Sequence, residues 1–123
     1  MNSDNVILDK CLKFSVRIVR LYQYLCSESK DYVISKQLLR CGTSIGANVN
    51  EAQYAISKSD FLNKMHISLK ECAETLYWIE LLYQTDYLSE PQYNSILADC
   101  EELRDILSSI TKTTRESIGK PNQ

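Results

Sequence analysis

Four basic side chains near the start of the chain recur at a helical spacing and could contact phosphate groups. Successive members are three, four and three residues apart: Lys10, Lys13, Arg17 and Arg20. On a helix this spacing places all four on one face, and such a face can follow a nucleic-acid backbone with strongly salt-dependent affinity. The same residues could instead form an ordinary solvated face, or pair with acidic helices of a neighbouring subunit. We call these four residues the basic stripe.

The charges are unevenly distributed along the chain. The net charge is only −2, yet most of the charged residues in 10–40 are Lys or Arg. In 71–105 the charged residues are Asp and Glu, with Arg104 as the one basic exception. A basic first part and an acidic second part keep open both a nucleic-acid partner and charge pairing between subunits.

Two of the three glycines, Gly42 and Gly46, lie inside a segment that otherwise has a helical pattern, LLRCGTSIGANVNEAQ (38–53). A glycine inside a helix costs about 1 kcal/mol relative to alanine. Because the two glycines are one turn apart, they open a shallow notch on one side of the helix. We expect another helix to pack closely against this notch, and a ligand-binding notch is the alternative.

Three polar residues follow the glycines along the same helix. Ser44, Asn48 and Glu51 are spaced by four and three residues, directly beside the predicted core positions. If they are partly buried, they need hydrogen-bond partners, and Lys70 or Arg40 could supply one. This polar stripe either fixes the register of the helix or, together with the notch, binds a ligand.

Residue types that support catalysis or metal binding are sparse. His66 is the single histidine, and Asn63 stands where a di-metal bundle needs the carboxylate of a Glu-x-x-His pair. Glu71 and Glu74 are one turn apart but have no second histidine to complete a site. The five cysteines include no CxxC pair, which indicates reduced thiols rather than a zinc or redox motif. We expect no enzyme activity, no metal and no cofactor.

The elements that carry these residues are predicted from apolar positions that alternate at spacings of three and four. Such patterns run over 7–25, 35–56, 62–83 and 93–110. With the breaks between them, they predict helices at about 4–26, 32–56, 60–85 and 90–113, with a frayed tail over 114–123. Short connections between long helices predict one domain (1–123), an all-α, antiparallel, up-down-up-down four-helix bundle.

Two boundaries have clear capping signals. SKSD (57–60) offers Ser57, Ser59 or Asp60 as the N-cap of the third helix. SEPQ (89–92) has the spacing of a capping box between Ser89 and Gln92. The first residues lack a signal-peptide pattern, and no segment is apolar enough to span a bilayer, so we expect a cytoplasmic protein without membrane contact.

The sequence has more apolar surface than a four-helix core requires. The surplus positions lie on the first and third helices: Leu8, Leu12, Val19, Tyr22, Tyr77 and Trp78. Large exposed apolar surfaces usually mark an interface, so these residues predict a homo-oligomer.

The segment from 38 to 82 also resembles a known family. The pattern Ser-Ile-x-x-Asn-x-x-Glu is present as Ser44, Ile45, Asn48 and Glu51, and Ser57–Phe61 and KECAETLYWIE follow it. The chain resembles the bacterial four-helix-bundle proteins of the 23S rRNA intervening-sequence type, which are related to the accessory variability protein of diversity-generating retroelements. The resemblance implies a helical bundle without an established enzymatic role. It also implies a ring of five subunits and work beside nucleic acid or a nucleic-acid-processing protein.

Two functional hypotheses follow. One is a non-enzymatic, homo-oligomeric scaffold that binds structured RNA or a ribonucleoprotein through the basic stripe. The other is a protein–protein interaction module that binds no nucleic acid and whose opposite charges pair its subunits.

Overall fold

Four helices form the structure, a computed structural model that describes residues 3–119. The helices are α1 (Ser3–Tyr24), α2 (Val33–Ala52), α3 (Lys58–Gln84) and α4 (Glu90–Gly119). Each helix packs mainly on its neighbour in sequence, and α1 closes the bundle against α4 through a smaller contact. The prediction of an all-α four-helix bundle is therefore confirmed. Within residues 3–119, no helix combines the length and the apolar character needed to span a bilayer.

Side-chain hydrogen bonds fix where three of the helices begin. Asp31 accepts from the backbone N–H of Ser35 at 3.0 Å at the start of α2. Ser57 Oγ accepts from the N–H of Asp60 at 3.0 Å before α3. The capping box predicted for α4 is confirmed, because Ser89 Oγ accepts from the N–H of Gln92 and the Gln92 side chain accepts from the N–H of Ser89.

The apolar seams meet in one core that extends along the bundle. Its fully or nearly fully buried members come from all four helices and include Ile7, Phe14, Ile18, Leu38, Ile45, Val49, Met65, Ile79, Ile96, Leu103 and Leu107. On α3 the buried side is rotated from the predicted apolar pattern, which included Leu69. Ser68, Thr75 and Leu82 are buried instead, and Leu69 is only partly buried. The buried hydroxyls are hydrogen-bonded, as when Ser68 Oγ donates to the carbonyl of Ile45 at 2.8 Å.

Three helix ends differ from the prediction. After Tyr24 the first helix continues as a π-helical turn, Leu25–Ser29, which ends at Lys30 in the left-handed region (φ 54°). The second helix ends at Ala52, so Ile56 lies in the α2–α3 connection and is 94% exposed instead of buried. The fourth helix continues past the predicted end at 113 to Gly119, so residues 114–119 are helical rather than frayed. The predicted fraying of 120–123 lies outside the described residues.

Candidate functional surfaces

The side of α1 that carries the basic stripe faces acidic residues of α4. Lys10 Nζ lies 3.1 Å from a carboxylate oxygen of Glu102, and Arg17 pairs with Asp99. Arg17 also donates to Ser95 Oγ at 2.9 Å. As the residue number rises along α1, that of its partner falls along α4, as antiparallel helices require. At these positions the basic first part of the sequence and its acidic second part therefore pair within one chain.

The other two members of the basic stripe point further outward. Lys13 pairs with Asp9 on the same helix at 3.1 Å, and its side chain is 77% exposed. Arg20 is exposed, and no ion pair joins it to another residue of the described chain. The structure thus divides the stripe into two residues held by α4, Lys10 and Arg17, and two that remain at the surface.

The notch between the glycines holds residues of α1. A Cβ placed on Gly42 would lie 2.9 Å from Cγ2 of Ile18. A Cβ on Gly46 would lie 3.2 Å from Cβ of Cys11 and 3.3 Å from Oγ of Ser15. A side chain at Gly42 would clash with Ile18, and one at Gly46 would require its neighbours to shift by a few tenths of an ångström, so the glycines let α1 and α2 approach each other closely. The residues of α1 that lie against the two glycines are what the helix-packing interpretation of the notch predicts.

The polar stripe of α2 is hydrogen-bonded along its own helix and to α3. Ser44 Oγ donates to the carbonyl of Arg40 at 2.6 Å, and Asn48 Nδ2 donates to the carbonyl of Ser44 at 2.8 Å. Glu51 pairs with Lys64 at 3.2 Å. The partners predicted for this stripe, Lys70 or a side-chain contact from Arg40, were wrong, because the antiparallel register brings Lys64 of α3 beside the end of α2.

Arg40 instead joins α2 to two acidic residues of α3. Its guanidinium pairs with Glu71 at 3.3 Å and also with Glu74. Glu74 accepts a second hydrogen bond from Nε1 of Trp78 at 3.0 Å. The sequence analysis weighed the two glutamates only as metal ligands, although their i, i+3 spacing is what presents two carboxylates to one guanidinium. Within the described residues, no cluster of His, Cys, Asp and Glu is arranged to hold a metal ion.

The amino-acid sequence matches the family described as 23S rRNA-intervening sequence protein over residues 3–109. The chain belongs to this family. A solved structure of a protein of unknown function from the S23 ribosomal protein family of Bacteroides thetaiotaomicron VPI-5482 is similar, with a TM-score of 0.87 and 55% sequence identity. The likeness covers 89% of this chain and 97% of that one. No curated protein matches the chain.

The match to the 23S rRNA-intervening sequence family ends inside α4, and the helix continues beyond it to Gly119. Two contacts hold these last turns against the start of α3. Lys58 Nζ donates to Ser117 Oγ at 2.8 Å, and Arg115 donates to Nε2 of His66 at 2.8 Å. His66 therefore contacts the last turns of α4 through Arg115.

An open groove lies beside the last turns of α4. It is bordered by the N-terminal part of α1, the α2–α3 connection and the C-terminal half of α4, and its apolar lining includes Val6, Ile56, Phe61, Ile106 and Ile110. Sequence reasoning missed it because Ile56 continued the α2 pattern and was assigned to the core.

A second apolar surface lies on the outer side of α1. It consists of Leu8, Leu12, Val16 and Val19, which we call the outer apolar stripe. Leu12 is 65% exposed, Val16 46% and Val19 38%. Leu8 and Leu12, together with Gly46 and Ala47 of α2, line a pocket of about 500 Å³ between the two helices.

The remaining predicted interface residues differ in exposure. Tyr22 and Trp78 are half-buried in their own chain. Tyr77 is 62% exposed, and its ring meets that of Trp78 edge to face with the centroids 5.2 Å apart. The outer apolar stripe lies on the opposite side of α1 from Lys10 and Arg17.

Proposed function

We propose that this member of the 23S rRNA-intervening sequence family is a homo-oligomeric helical scaffold whose subunits contact one another through the outer apolar stripe. The observation that carries the proposal is the exposure of Leu12, Val16 and Val19 on one face, beside a pocket between α1 and α2. Exposed apolar rows next to a pocket are a common form of subunit contact. The proposed number of subunits, five, comes from the resemblance to the retroelement accessory protein.

The pairing of charges argues for an apolar rather than an electrostatic contact between subunits. Lys10, Arg17 and Arg40 already have acidic partners in their own chain. The carboxylates of these acidic partners are therefore already paired within the chain. These pairs within one chain favour the outer apolar stripe over the alternative hypothesis, in which opposite charges pair the subunits.

The test is the particle mass of Leu12→Glu and Val16→Glu variants. Multi-angle light scattering should give about five times the 14.2 kDa chain mass for the parent protein and a much smaller particle for both variants. Val33→Glu is the matched control, since Val33 is 76% exposed and lies outside the stripe. A monomeric parent protein, or variants that keep the parent mass, would refute the proposal.

Binding of structured RNA is a second candidate function, favoured by the exposed Lys13 and Arg20. The family description refers to a 23S rRNA intervening sequence, and the side chains of these two residues are exposed to solvent. Two phosphate contacts per subunit add up over the copies in an assembly, so we expect binding that weakens steeply with salt.

Fluorescence anisotropy of a labelled structured RNA at low and physiological salt tests this second function. Reversal of Lys13 and Arg20 to Glu should abolish binding while the particle mass stays unchanged. Lys36→Glu, at an exposed position on α2, is the control. No binding at low salt would leave the scaffold without a nucleic-acid role.

A further inference from the structure

Two buried cysteines face each other between α3 and α4. The sulfur atoms of Cys72 and Cys100 are 3.7 Å apart, and neither side chain has measurable exposure. We propose that this pair is an oxidation site, where hydrogen peroxide converts the two thiols into a disulfide that links α3 to α4. The proposal is independent of the scaffold function, since it concerns only contacts inside one chain.

The backbones of the two helices are close at this level. Cys72 Sγ lies 3.4 Å from the carbonyl oxygen of Cys100, and Cys100 Sγ lies 3.9 Å from the carbonyl oxygen of Cys72. These reciprocal contacts mean that each side chain reaches the main chain of the opposite helix. A disulfide requires such close backbones and a sulfur–sulfur distance of about 2.05 Å. Rotation about the Cα–Cβ bonds can shorten the present distance without moving a helix far.

The other three cysteines contact different groups. Cys41 Sγ donates to the carbonyl of Leu38 in its own helix at 3.7 Å. Cys26 lies in the π-helical turn near Asp31 and Ser35. Cys11 is buried against Gly46, where its Cβ forms part of the α1–α2 contact. The facing geometry is thus a property of Cys72 and Cys100 and not of buried cysteines in general.

The reaction consumes one peroxide and two thiols. One of the two cysteines, as its thiolate, attacks one oxygen of hydrogen peroxide, the O–O bond breaks, and hydroxide leaves and takes up that cysteine's proton as water. The resulting sulfenic acid is attacked at sulfur by the other cysteine, whose proton departs with the displaced hydroxyl as a second water. Both sulfurs are oxidised, and the peroxide is reduced to two waters.

The hydrogen bond between the thiols shifts their pKa values in opposite directions. It raises the pKa of Cys100, with burial acting in the same direction. At Cys72 the same hydrogen bond lowers the pKa, against the opposing effect of burial. Either sulfur can donate to the other, and each thiol also contacts the carbonyl of the opposite cysteine, so either cysteine can form the sulfenic acid and the other resolves it.

Burial determines how fast the site reacts. Peroxide reaches the pair only when α3 and α4 separate locally, so oxidation is slow compared with that of an exposed thiol. Once formed, the bond joins residues 28 positions apart and restricts the unfolded chain. The oxidised protein should unfold at a temperature roughly 5–10 °C higher than the reduced protein.

The experiment uses the full chain with Cys26→Ser, which removes the half-buried thiol. After peroxide treatment, the protein is alkylated with iodoacetamide in denaturant and measured by intact mass and peptide mapping. We expect the loss of two alkylatable thiols and a cross-linked peptide joining Cys72 to Cys100. The thermal midpoint should rise and return after dithiothreitol.

Two further variants in the same background give the controls. Cys100→Ala should abolish the intramolecular link, and Cys41→Ala, at another buried cysteine, should retain it. Circular dichroism checks that both are folded, and the peptide map of the parent decides the question if either is not. A map that joins other cysteines would overturn the proposal. So would a folded protein that keeps all its thiols after prolonged incubation with excess peroxide.

Discussion

The two sides of α1 contact the bundle in opposite ways. Toward α2 the contact is apolar and very close, because Gly42 and Gly46 leave space for Ile18 and Cys11. Toward α4 it consists of ion pairs at the rim, from Lys10 and Arg17, whose side chains are partly exposed. The difference indicates that close apolar packing positions α1 against α2, whereas partly exposed ion pairs hold it against α4. Substitutions on the two sides should therefore differ in size and in salt dependence.

The largest effect is expected from Gly42→Leu. Its Cβ alone would meet Ile18 Cγ2 at 2.9 Å, and the rest of the side chain would force α1 away from α2. We expect a loss of about 3 kcal/mol in the free energy of unfolding, measured by urea denaturation. The double variant with Ile18→Ala should recover part of this loss, because it removes the atoms that clash. Equal stability of Gly42→Leu and the parent would show that the α1–α2 contact is not close-packed.

A smaller loss is expected from Gly46→Val. Its Cβ would lie 3.2 Å from Cys11 Cβ, an atom that moves only with the backbone of α1. We expect a cost of about 2 kcal/mol by the same measurement. Ala73→Val, at an exposed position of α3, is the control for β-branching and should cost about 0.5 kcal/mol. Similar losses in both variants would count against a steric origin.

On the charged side, Arg17→Ala should cost only about 0.5–1 kcal/mol, because the pair with Asp99 is half-exposed and screened by solvent. The cost should shrink as the salt concentration rises, whereas the cost of Gly42→Leu should not. Lys13→Ala, whose partner is on its own helix, serves as the control and should be nearly neutral. A salt-independent loss at Arg17 would mean that its packing, and not its charge, holds α4.

The smallest effect concerns a polar contact between α3 and α4. Tyr93 Oη donates to Glu80 at 2.7 Å, and this bond, followed by one from Gln84, lowers the pKa of Glu80. The same bond raises the pKa of Tyr93 to about 12. Tyr93→Phe keeps the ring stacked on Tyr83 but removes the hydroxyl. An NMR titration should then show the Glu80 carboxyl titrating at higher pH, and Tyr87→Phe should leave it unchanged.

The signs of the pH dependence follow from these shifts. Because the pKa of Glu80 is lowered in the folded state, its contribution to stability is present above the unfolded pKa and is lost as the pH falls through the folded one. For Tyr93 the contribution is present below pH 10 and is lost as the pH rises toward 12. An unchanged Glu80 titration in Tyr93→Phe would contradict the assignment of the hydrogen bond.

Local features of this fold were predictable from the sequence, and pairings between helices were not. The capping box at Ser89 and Gln92 involves neighbours in sequence, so its spacing was enough to find it. The pair between Glu51 and Lys64 depends on the register of α2 against α3, which no local pattern contains. The end of α4 was not predicted for the same reason. Its last turns have no strong apolar pattern of their own, and contacts from α3, such as that of Lys58 with Ser117, support them.

The basic stripe shows this limit most clearly. Its spacing correctly predicts one face of α1, yet the function of that face depends on what lies opposite. Glu102 is 92 positions from Lys10 and Asp99 is 82 positions from Arg17, and these residues meet only through closure of the bundle. The exposure of Lys13 and Arg20 became evident only once those partners were in place.

The small contact between α1 and α4 also has a kinetic consequence. Most helix contacts join neighbours in sequence, which favours rapid folding of helical hairpins. The Arg17–Asp99 pair instead joins residues 82 positions apart. We expect it to form late in folding, because closing so long a loop has a large entropic cost. Its interactions should be largely unformed in the folding transition state. Weakening them would then leave the folding rate almost unchanged and let the finished bundle open sooner.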